Sequence, residues 1–194
     1  MFPGRSTSCN SPVLGIPVPL FKLNLTIKRI CDNLHLLTSE TLAHLKTDVS
    51  YWEAALTLGR EHSAAQRSLC DDATFLYILI ASLLVEQLEL YHVTKGQRPP
   101  YGVTSTHWQL EGMLSILRRR HDDEGWHRTF VANWPVYTVG VFVEEQEDIA
   151  LVREAMRRRW ARSNIYMCSR YMHDLEIVWG SSGRSGDLLI QASQ

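Results

Sequence analysis

Two histidines and three carboxylates are crowded into the stretch RRRHDDEGWHR, residues 118–128. Histidine nitrogens and carboxylate oxygens bind divalent metals, and a histidine beside a carboxylate can transfer protons near neutral pH. The members of this set are His121, Asp122, Asp123, Glu124 and His127. The stretch follows a predicted helix end, where solvated charges are common. We therefore interpret it as a surface turn and keep His121 and His127 as candidate ligand-binding residues.

Trp134 and Tyr137 form a second candidate pair, because aromatic side chains often line pockets for small apolar molecules. A structural interpretation explains the same region without a ligand. Pro135 suits the first turn of a helix, where a missing amide donor costs least, and Trp134 beside it is a bulky core anchor. Gly140 suits a close contact between two helices, where only a small residue fits. We favour the structural interpretation and keep the pocket as the alternative.

No motif for catalysis or cofactor binding is present in the sequence: there is no GxSxG, P-loop, HExxH or dinucleotide fingerprint. The cysteines are too far apart for a structural zinc site or a redox CxxC pair: Cys9, Cys31, Cys70 and Cys168. His92 and His107 flank a proline-containing loop and are a weaker pocket candidate. We expect no bound metal and no cofactor. Without a catalytic motif, the sequence favours a protein that is not an enzyme.

Composition restricts the partners of the chain. Its 194 residues are 45% hydrophobic and 21% charged, which suits one globular domain, and a net charge of −1 lacks the positive field that phosphate binding needs. The arginine runs 118–120 and 157–159 both lie at predicted helix C-termini, where the helix dipole favours cations. The longest mostly apolar run, residues 73–85, is shorter than the roughly 20 residues that span a bilayer. We expect an intracellular protein without direct nucleic-acid or membrane binding.

Residues that interrupt helices, mainly Pro, Gly and Ser, divide the chain into three parts. Prolines and glycines predict a flexible segment over residues 1–19, and Gly and Ser predict a free tail over residues 181–194. Residues 20–180 form a single helical domain in this interpretation. Within it, the segment KGQRPPYGVTS at residues 95–105 predicts a loop.

Apolar residues at spacings of three and four predict helices throughout the central part. Thr38 or Ser39 is the expected cap of the second helix, Asp71 and Asp72 open the most buried helix, and Asn133 is the expected cap before Pro135. The predicted stripes begin at Leu23, Leu42, Phe75, Trp108, Ile149 and Ile165. The first stripe extends to Leu37 and the last to Trp179. The sequence therefore predicts an all-α fold, an irregular multi-helix bundle.

One long stretch of these helices resembles a known family. The segment NWPVYTVGVFVEEQEDIALVREAMRRRW, residues 133–160, is similar to the Trp-Pro-then-Gly stretch and following helix near the end of the regulatory domain of fungal zinc-cluster transcription factors. The matching positions are Trp134, Pro135 and Gly140. The segment DLEIVW, which ends at Trp179, resembles the next helix of the family, and LGIPVPLF at residues 14–21 resembles an upstream segment.

The resemblance implies an all-helical regulatory and interaction domain of a transcription regulator, located in the nucleus and associated with a protein partner or a second copy. The family binds DNA through a zinc module with six closely spaced cysteines, which this sequence lacks, so autonomous DNA binding is not expected. We expect association through the first and last stripes, Leu23–Leu37 and Ile165–Trp179. The alternative is a stand-alone protein or enzyme of fungal secondary metabolism that uses the same helical scaffold to bind a small apolar molecule, located in the cytoplasm.

Overall fold

The computed structural model describes residues 15–59, 67–96, 108–129 and 132–181. Helices dominate these ranges, which contain no β-strand, so the all-α prediction is confirmed. In chain order they are α1 (Val18–Asp32), a 3-10 turn (Leu34–Leu36), α2 (Ser39–Gly59), α3 (Leu69–Val93), α4 (Trp108–Arg119), α5 (Glu124–Arg128), α6 (Asn133–Phe142), α7 (Gln146–Ser163) and α8 (Tyr166–Ser181). Most of the predicted flexible segment, loop and tail lies outside the described residues, as does His107.

The first helix is shorter than its apolar stripe predicts. Helix α1 begins at Val18 and ends at Asp32, and Leu34 and Leu37 follow it in and after the 3-10 turn. Asn33 ends the helix with an extended φ of −140°, and its side-chain amide donates to the Arg29 carbonyl at 3.1 Å. A single stripe in the sequence therefore continues across a helix end.

Side-chain caps fix the starts of α2 and α3. Thr38 Oγ1 accepts from the Thr41 amide at 3.1 Å, as expected for a cap at this position. At α3, Ser68 Oγ accepts from the Asp71 amide at 3.1 Å, while an Asp71 carboxylate oxygen accepts from the Ser68 amide at 3.0 Å. This reciprocal capping box stabilises the start of the longest helix.

Helix α3 is the centre of the core. Its buried residues occupy every side of the helix, and α1, α2, α4 and α6 pack around it, as the sequence predicted for the most buried helix. By length and composition alone α3 is able to cross a membrane, which the shorter run at residues 73–85 did not indicate. In the fold, 72% of its most apolar 18-residue window is buried inside the protein. A core helix of a soluble protein has the same character, so the finding leaves membrane association undecided.

Two arginines expected to compensate the dipole of α4 instead bind a carboxylate. Asp72 is fully buried near the start of α3, with Arg119 Nη2 at 2.6 Å from Oδ1 and Arg120 Nε at 2.6 Å from Oδ2. Arg120 Nη2 also donates to the carbonyl of Arg67 at 2.6 Å. These bonds join the end of α4 to the start of α3, and removing one partner would leave an expensive buried charge.

The contact between α6 and α8 depends on Gly140. A Cβ at this position would lie 2.7 Å from Leu175 Cδ1 and 3.1 Å from Val152 Cγ1. The Trp179 indole donates to the Gly140 carbonyl at 2.9 Å and lies under the guanidinium of Arg153. This is the close helix contact that the sequence indicated for Gly140. Trp179 takes part in it through a hydrogen bond within the same chain.

The residues of the two terminal stripes are buried or half-buried against neighbouring helices of the same chain, so the apolar seams expected there are largely covered. On α1 and α8 the following residues are buried against neighbouring helices: Leu23, Ile27, Ile30, Cys168 and Leu175. The apolar side chains that these helices expose are different ones: Leu25, Tyr166, Met167 and Ile177. Any partner that binds α1 or α8 therefore meets this second set.

We predict that Gly140→Ala lowers the free energy of unfolding by about 1–2 kcal/mol. The added methyl group overpacks the contact with Leu175, which costs about 1–3 kcal/mol, and the gain of up to about 1 kcal/mol in helix propensity offsets only part of this. Urea denaturation measures the change. Gly180→Ala is the control, because a Cβ there has no atom within 4 Å, and its stability should be unchanged or slightly raised. Equal stability of the two variants would contradict the prediction.

Candidate ligand-binding site

The structure divides the four predicted site residues between two regions. Trp134 lies in the wall of an apolar cavity, and the ring of Tyr137 stacks on Tyr171 of the same wall, with 4.4 Å between centroids. His121 and His127 lie apart from this cavity, around α5. Their rings are not brought together as a pair of ligands: His127 Nε2 donates to the backbone carbonyl of His121 at 2.7 Å.

The stretch at residues 118–128 is more structural than the predicted surface turn. It contains the short helix α5, capped by Asp123, which accepts from the Trp126 amide at 3.1 Å. Trp126 and His127 are both buried. Burial lowers the pKa of His127, so its imidazole is neutral at pH 7. The apolar side of this segment is part of the core.

The carboxylates of this stretch are used in ion pairs. Asp122 pairs with Arg158 at 2.9 Å, Asp123 with Arg120 at 2.9 Å, and Glu124 with Arg162 at 2.8 Å. Among the described residues, no group of three or more His, Cys, Asp or Glu side chains is arranged to hold a metal ion. These carboxylates instead form ion pairs that join α5 and the turn before it to α4 and α7.

A shallow depression beside His121 has a volume of about 330 Å³. It is lined by Arg118, His121, Glu147, Ala150, Leu151 and Glu154. Two of its charges already have partners, since Arg118 bonds to Asp148 at 2.6 Å and Glu154 bonds to Arg158 at 2.9 Å. This depression is wide and offers little for recognition.

The cavity beside Trp134 has better properties for a ligand. It has a volume of about 210 Å³ and lies between α1, α3, α6 and α8. An apolar cavity of about 150 Å³ is enough to hold benzene, so this one suits a molecule of one or two rings. Its lining residues are Phe21, Asn24, Leu25, Lys28, Tyr77, Asn133, Trp134, Met167 and Tyr171.

Two buried amides, Asn24 and Asn133, are among the residues that line this apolar cavity. Asn24 is 1% exposed; its Nδ2 donates to the Leu20 carbonyl at 3.0 Å, and its Oδ1 has no partner among the described residues. Asn133 is 4% exposed; its Oδ1 accepts from Arg159 Nη1 at 3.4 Å, and its Nδ2 is unpartnered in the same ranges. The bond that each amide makes fixes its orientation. Two residues of the lining therefore each carry one buried polar atom without a partner among the described residues, an acceptor on Asn24 and a donor on Asn133.

Arg159 supplies an unusual charge behind Asn133. It is 0% exposed, its Nη1 also donates to the Thr129 carbonyl at 3.0 Å, and its guanidinium lies 5.0 Å from the centre of the Trp126 ring. Within the part of the chain that the structure describes, it forms no ion pair with a carboxylate, and its Nε and Nη2 have no hydrogen-bond partner. Burial lowers the pKa of Arg159 to about 10, so the side chain keeps its charge at pH 7.

The tyrosines around the cavity are neutral at physiological pH. Burial raises the pKa of Tyr77, and burial together with the charge of Asp174 raises that of Tyr137 to about 12. The pKa of Tyr171 is also raised by burial. These hydroxyl groups are therefore not poised as bases near pH 7. They suit a binding role, in which the aromatic rings provide apolar surface.

Of the residues predicted from the sequence, Trp134 lines the cavity and Tyr137 stacks on the lining residue Tyr171. Asn24, Asn133 and Arg159 were not among the predicted site residues. Asn133 was assigned to a helix cap, whereas α6 has Ala132 at its N-cap and makes no side-chain cap bond. Arg159 was assigned to dipole compensation with its neighbours. Its position three residues after Met156 and seven after Val152, both fully buried, was the available signal that it faces the core.

Comparison of the chain with models of protein families, with curated proteins and with solved structures found no match.

We predict that Asn24→Leu raises the free energy of unfolding by about 1 kcal/mol. Leu is similar in size to Asn and removes the buried acceptor, whose missing hydrogen bond costs about 1–3 kcal/mol. Thermal and urea unfolding measure the change. Thr26→Leu is the control on the exposed side of α1 and reports the gain from helix propensity alone. If Asn24→Leu is less stable than this control, Asn24 stabilises the fold and is not held for a ligand.

Proposed function

We propose that this chain is a helical small-molecule-binding domain. Its ligand is a largely apolar molecule of one or two rings that lies in the cavity between α1, α3, α6 and α8. The observation that carries the proposal is the pair of buried amides in one apolar wall, Asn24 with a free acceptor and Asn133 with a free donor. A ligand with complementary groups satisfies both.

The polar atoms of the wall favour a ligand over a purely structural role. Native cores satisfy nearly all of their buried polar groups, and each exception is expensive. Two exceptions on residues that line the same cavity match the usual composition of ligand pockets, in which apolar and aromatic surface surrounds a few polar groups that orient the ligand. Phe21, Trp134 and Tyr171 provide that surface here.

The cavity supports binding more directly than catalysis. Tyr77 and Tyr171 are protonated at pH 7, as their raised pKa values require. Lys28 also lines the cavity and is charged, and it forms an ion pair with Asp32 one turn later on α1. An activated nucleophile needs an adjacent base or a lowered pKa, and these lining residues provide neither.

We predict that Leu25→Trp weakens the binding of a neutral two-ring probe, 2-naphthamide, by at least about tenfold. The larger side chain at the half-exposed rim position fills the cavity without replacing a core residue. Thirteen non-hydrogen atoms at about 0.3–0.5 kcal/mol each correspond to a dissociation constant of about 20 μM to 1 mM in the parent chain. Isothermal titration calorimetry measures it.

Thr26→Trp is the matched control for this experiment. Thr26 is the next residue on α1 and is exposed, and it does not line the cavity. We expect this variant to bind 2-naphthamide like the parent chain. If the parent binds no neutral aromatic probe, or if both tryptophan variants bind equally well, the cavity is not the binding site.

A regulatory and interaction domain is the second candidate function, as the resemblance to fungal zinc-cluster regulators implies. In this proposal the chain acts in the nucleus with a protein partner or a second copy and does not bind DNA by itself. One observation favours it: Leu25, Tyr166 and Met167 are exposed at or beside the mouth of the cavity. A partner on this face is able to sense whether a ligand is present, so the two functions are compatible.

We predict that the chain, fused to an unrelated DNA-binding domain, changes transcription of a reporter gene by several-fold in a fungal host. Tyr166→Glu should remove this effect, because it places a charge on the exposed apolar face beside the cavity mouth. Tyr51→Glu is the matched control, since Tyr51 on α2 is similarly exposed, at 73% against 79%. A fusion with no effect on the reporter would contradict the regulatory proposal and leave ligand binding unaffected.

A further inference from the structure

We propose that the ligand of the cavity is a small aromatic carboxylate, whose oxyanion binds Asn133 Nδ2 in front of the buried charge of Arg159. This inference rests on the proposed binding function and names the class of ligand. It follows from three features of the structure: the uncompensated charge, its connection to the cavity wall, and the arrangement of the other charges around the wall.

The first feature is the charge of Arg159. Buried arginines are normally paired with carboxylates, because an isolated charge in a low-dielectric interior is expensive. Among the described residues, the neighbours of the Arg159 guanidinium are the Thr129 carbonyl, Asn133 Oδ1 and the face of the Trp126 ring. No carboxylate of these residues is bonded to it. A bound anion would supply the missing counter-charge, and the low dielectric strengthens that attraction.

The second feature is the connection between Arg159 and the cavity. Arg159 does not line the wall, but its Nη1 donates to Oδ1 of Asn133 at 3.4 Å. Asn133 lines the cavity, and its buried Nδ2 has no hydrogen-bond partner among the described residues. A hydrogen bond from a cation polarises an amide and makes its N–H a stronger donor. Tyr77, which also lines the cavity, interacts electrostatically with Arg159. The two lining residues that Arg159 influences, Asn133 and Tyr77, lie on α6 and α3.

The third feature is the placement of groups that oppose an anion. Asn24 Oδ1 would repel an anion only through the dipole of its amide, and it lies on α1, whereas Asn133 lies on α6. Lys28 and Asp32 form a pair with no net charge at the rim. Asp174 on α8 influences Tyr137 and Tyr171. A carboxylate is therefore favoured at Asn133, and the aromatic body of the ligand extends toward Phe21 and Tyr171.

The experiment compares 2-naphthoate with 2-naphthamide, which have the same rings and nearly the same size but differ in charge. Calorimetric titration of the full chain should show that 2-naphthoate binds about tenfold more tightly. Asn133→Asp places a carboxylate beside Arg159 with little change in shape, and it should remove or reverse this preference. Arg159→Met removes the charge and keeps an unbranched apolar stem, and it should make the two affinities equal.

Arg157→Met is the control, because Arg157 lies on the same helix with a largely exposed side chain, and the preference for 2-naphthoate should persist. Asn133→Asp provides a counter-ion and Arg159→Met removes a buried charge, so at least one of the two variants is expected to fold as stably as the parent chain. Equal binding of the two probes by the parent, or an unchanged preference in a folded variant, overturns the carboxylate assignment alone. Failure of both probes to bind overturns the proposed function as well.

Discussion

A helix that is apolar on all of its sides must be enclosed by other elements, and α3 places this requirement on the whole fold. Helices α1, α2, α4 and α6 surround it, and α7 and α8 then pack against α6. Asp72 shows how strictly the enclosure is maintained, because the carboxylate at the start of α3 is fully buried and held by Arg119 and Arg120. Exposed residues of α3 lie near its start, at Glu86 and at its last residue, Val93, and beside the buried Tyr77 the surrounding helices leave the cavity.

The buried polar groups of the protein fall into two kinds. Asp72 is matched by two guanidinium groups, so its bonds orient α4 relative to α3. Asn24, Asn133 and Arg159 keep unpartnered atoms among the described residues, although each is buried as completely as the apolar core. The first kind gives the bundle its geometry. The unpartnered atoms of Asn24, Asn133 and Arg159 lower the stability of the fold and make no bond that orients its helices. Binding sites commonly show this pattern.

The sequence predicted the helices better than it predicted the site, and the residues show why. A helical stripe is a local pattern, so the most buried helix was evident from spacing alone, and the Gly140 contact followed from the small size of that residue. Asn133 and Arg159 each had a sufficient local explanation, a cap for one and the helix dipole for the other. Their actual roles depend on which side of α6 and α7 faces the core. That information comes from the packing of distant helices, which also brings α1 and α8 to the same cavity.

The cavity unites the first and last helices of the described chain, and this has a consequence for biosynthesis. Phe21 on α1 and Tyr171 on α8 are 150 positions apart in the sequence. At about 5–20 residues per second, a ribosome needs roughly 8 to 30 seconds to add the intervening chain. During that interval α1 and α3 are able to pack together, but the wall formed by Met167 and Tyr171 does not yet exist. A ligand in this cavity would therefore recognise only chains that have been synthesised through α8, and it would stabilise the completed protein over its nascent intermediates.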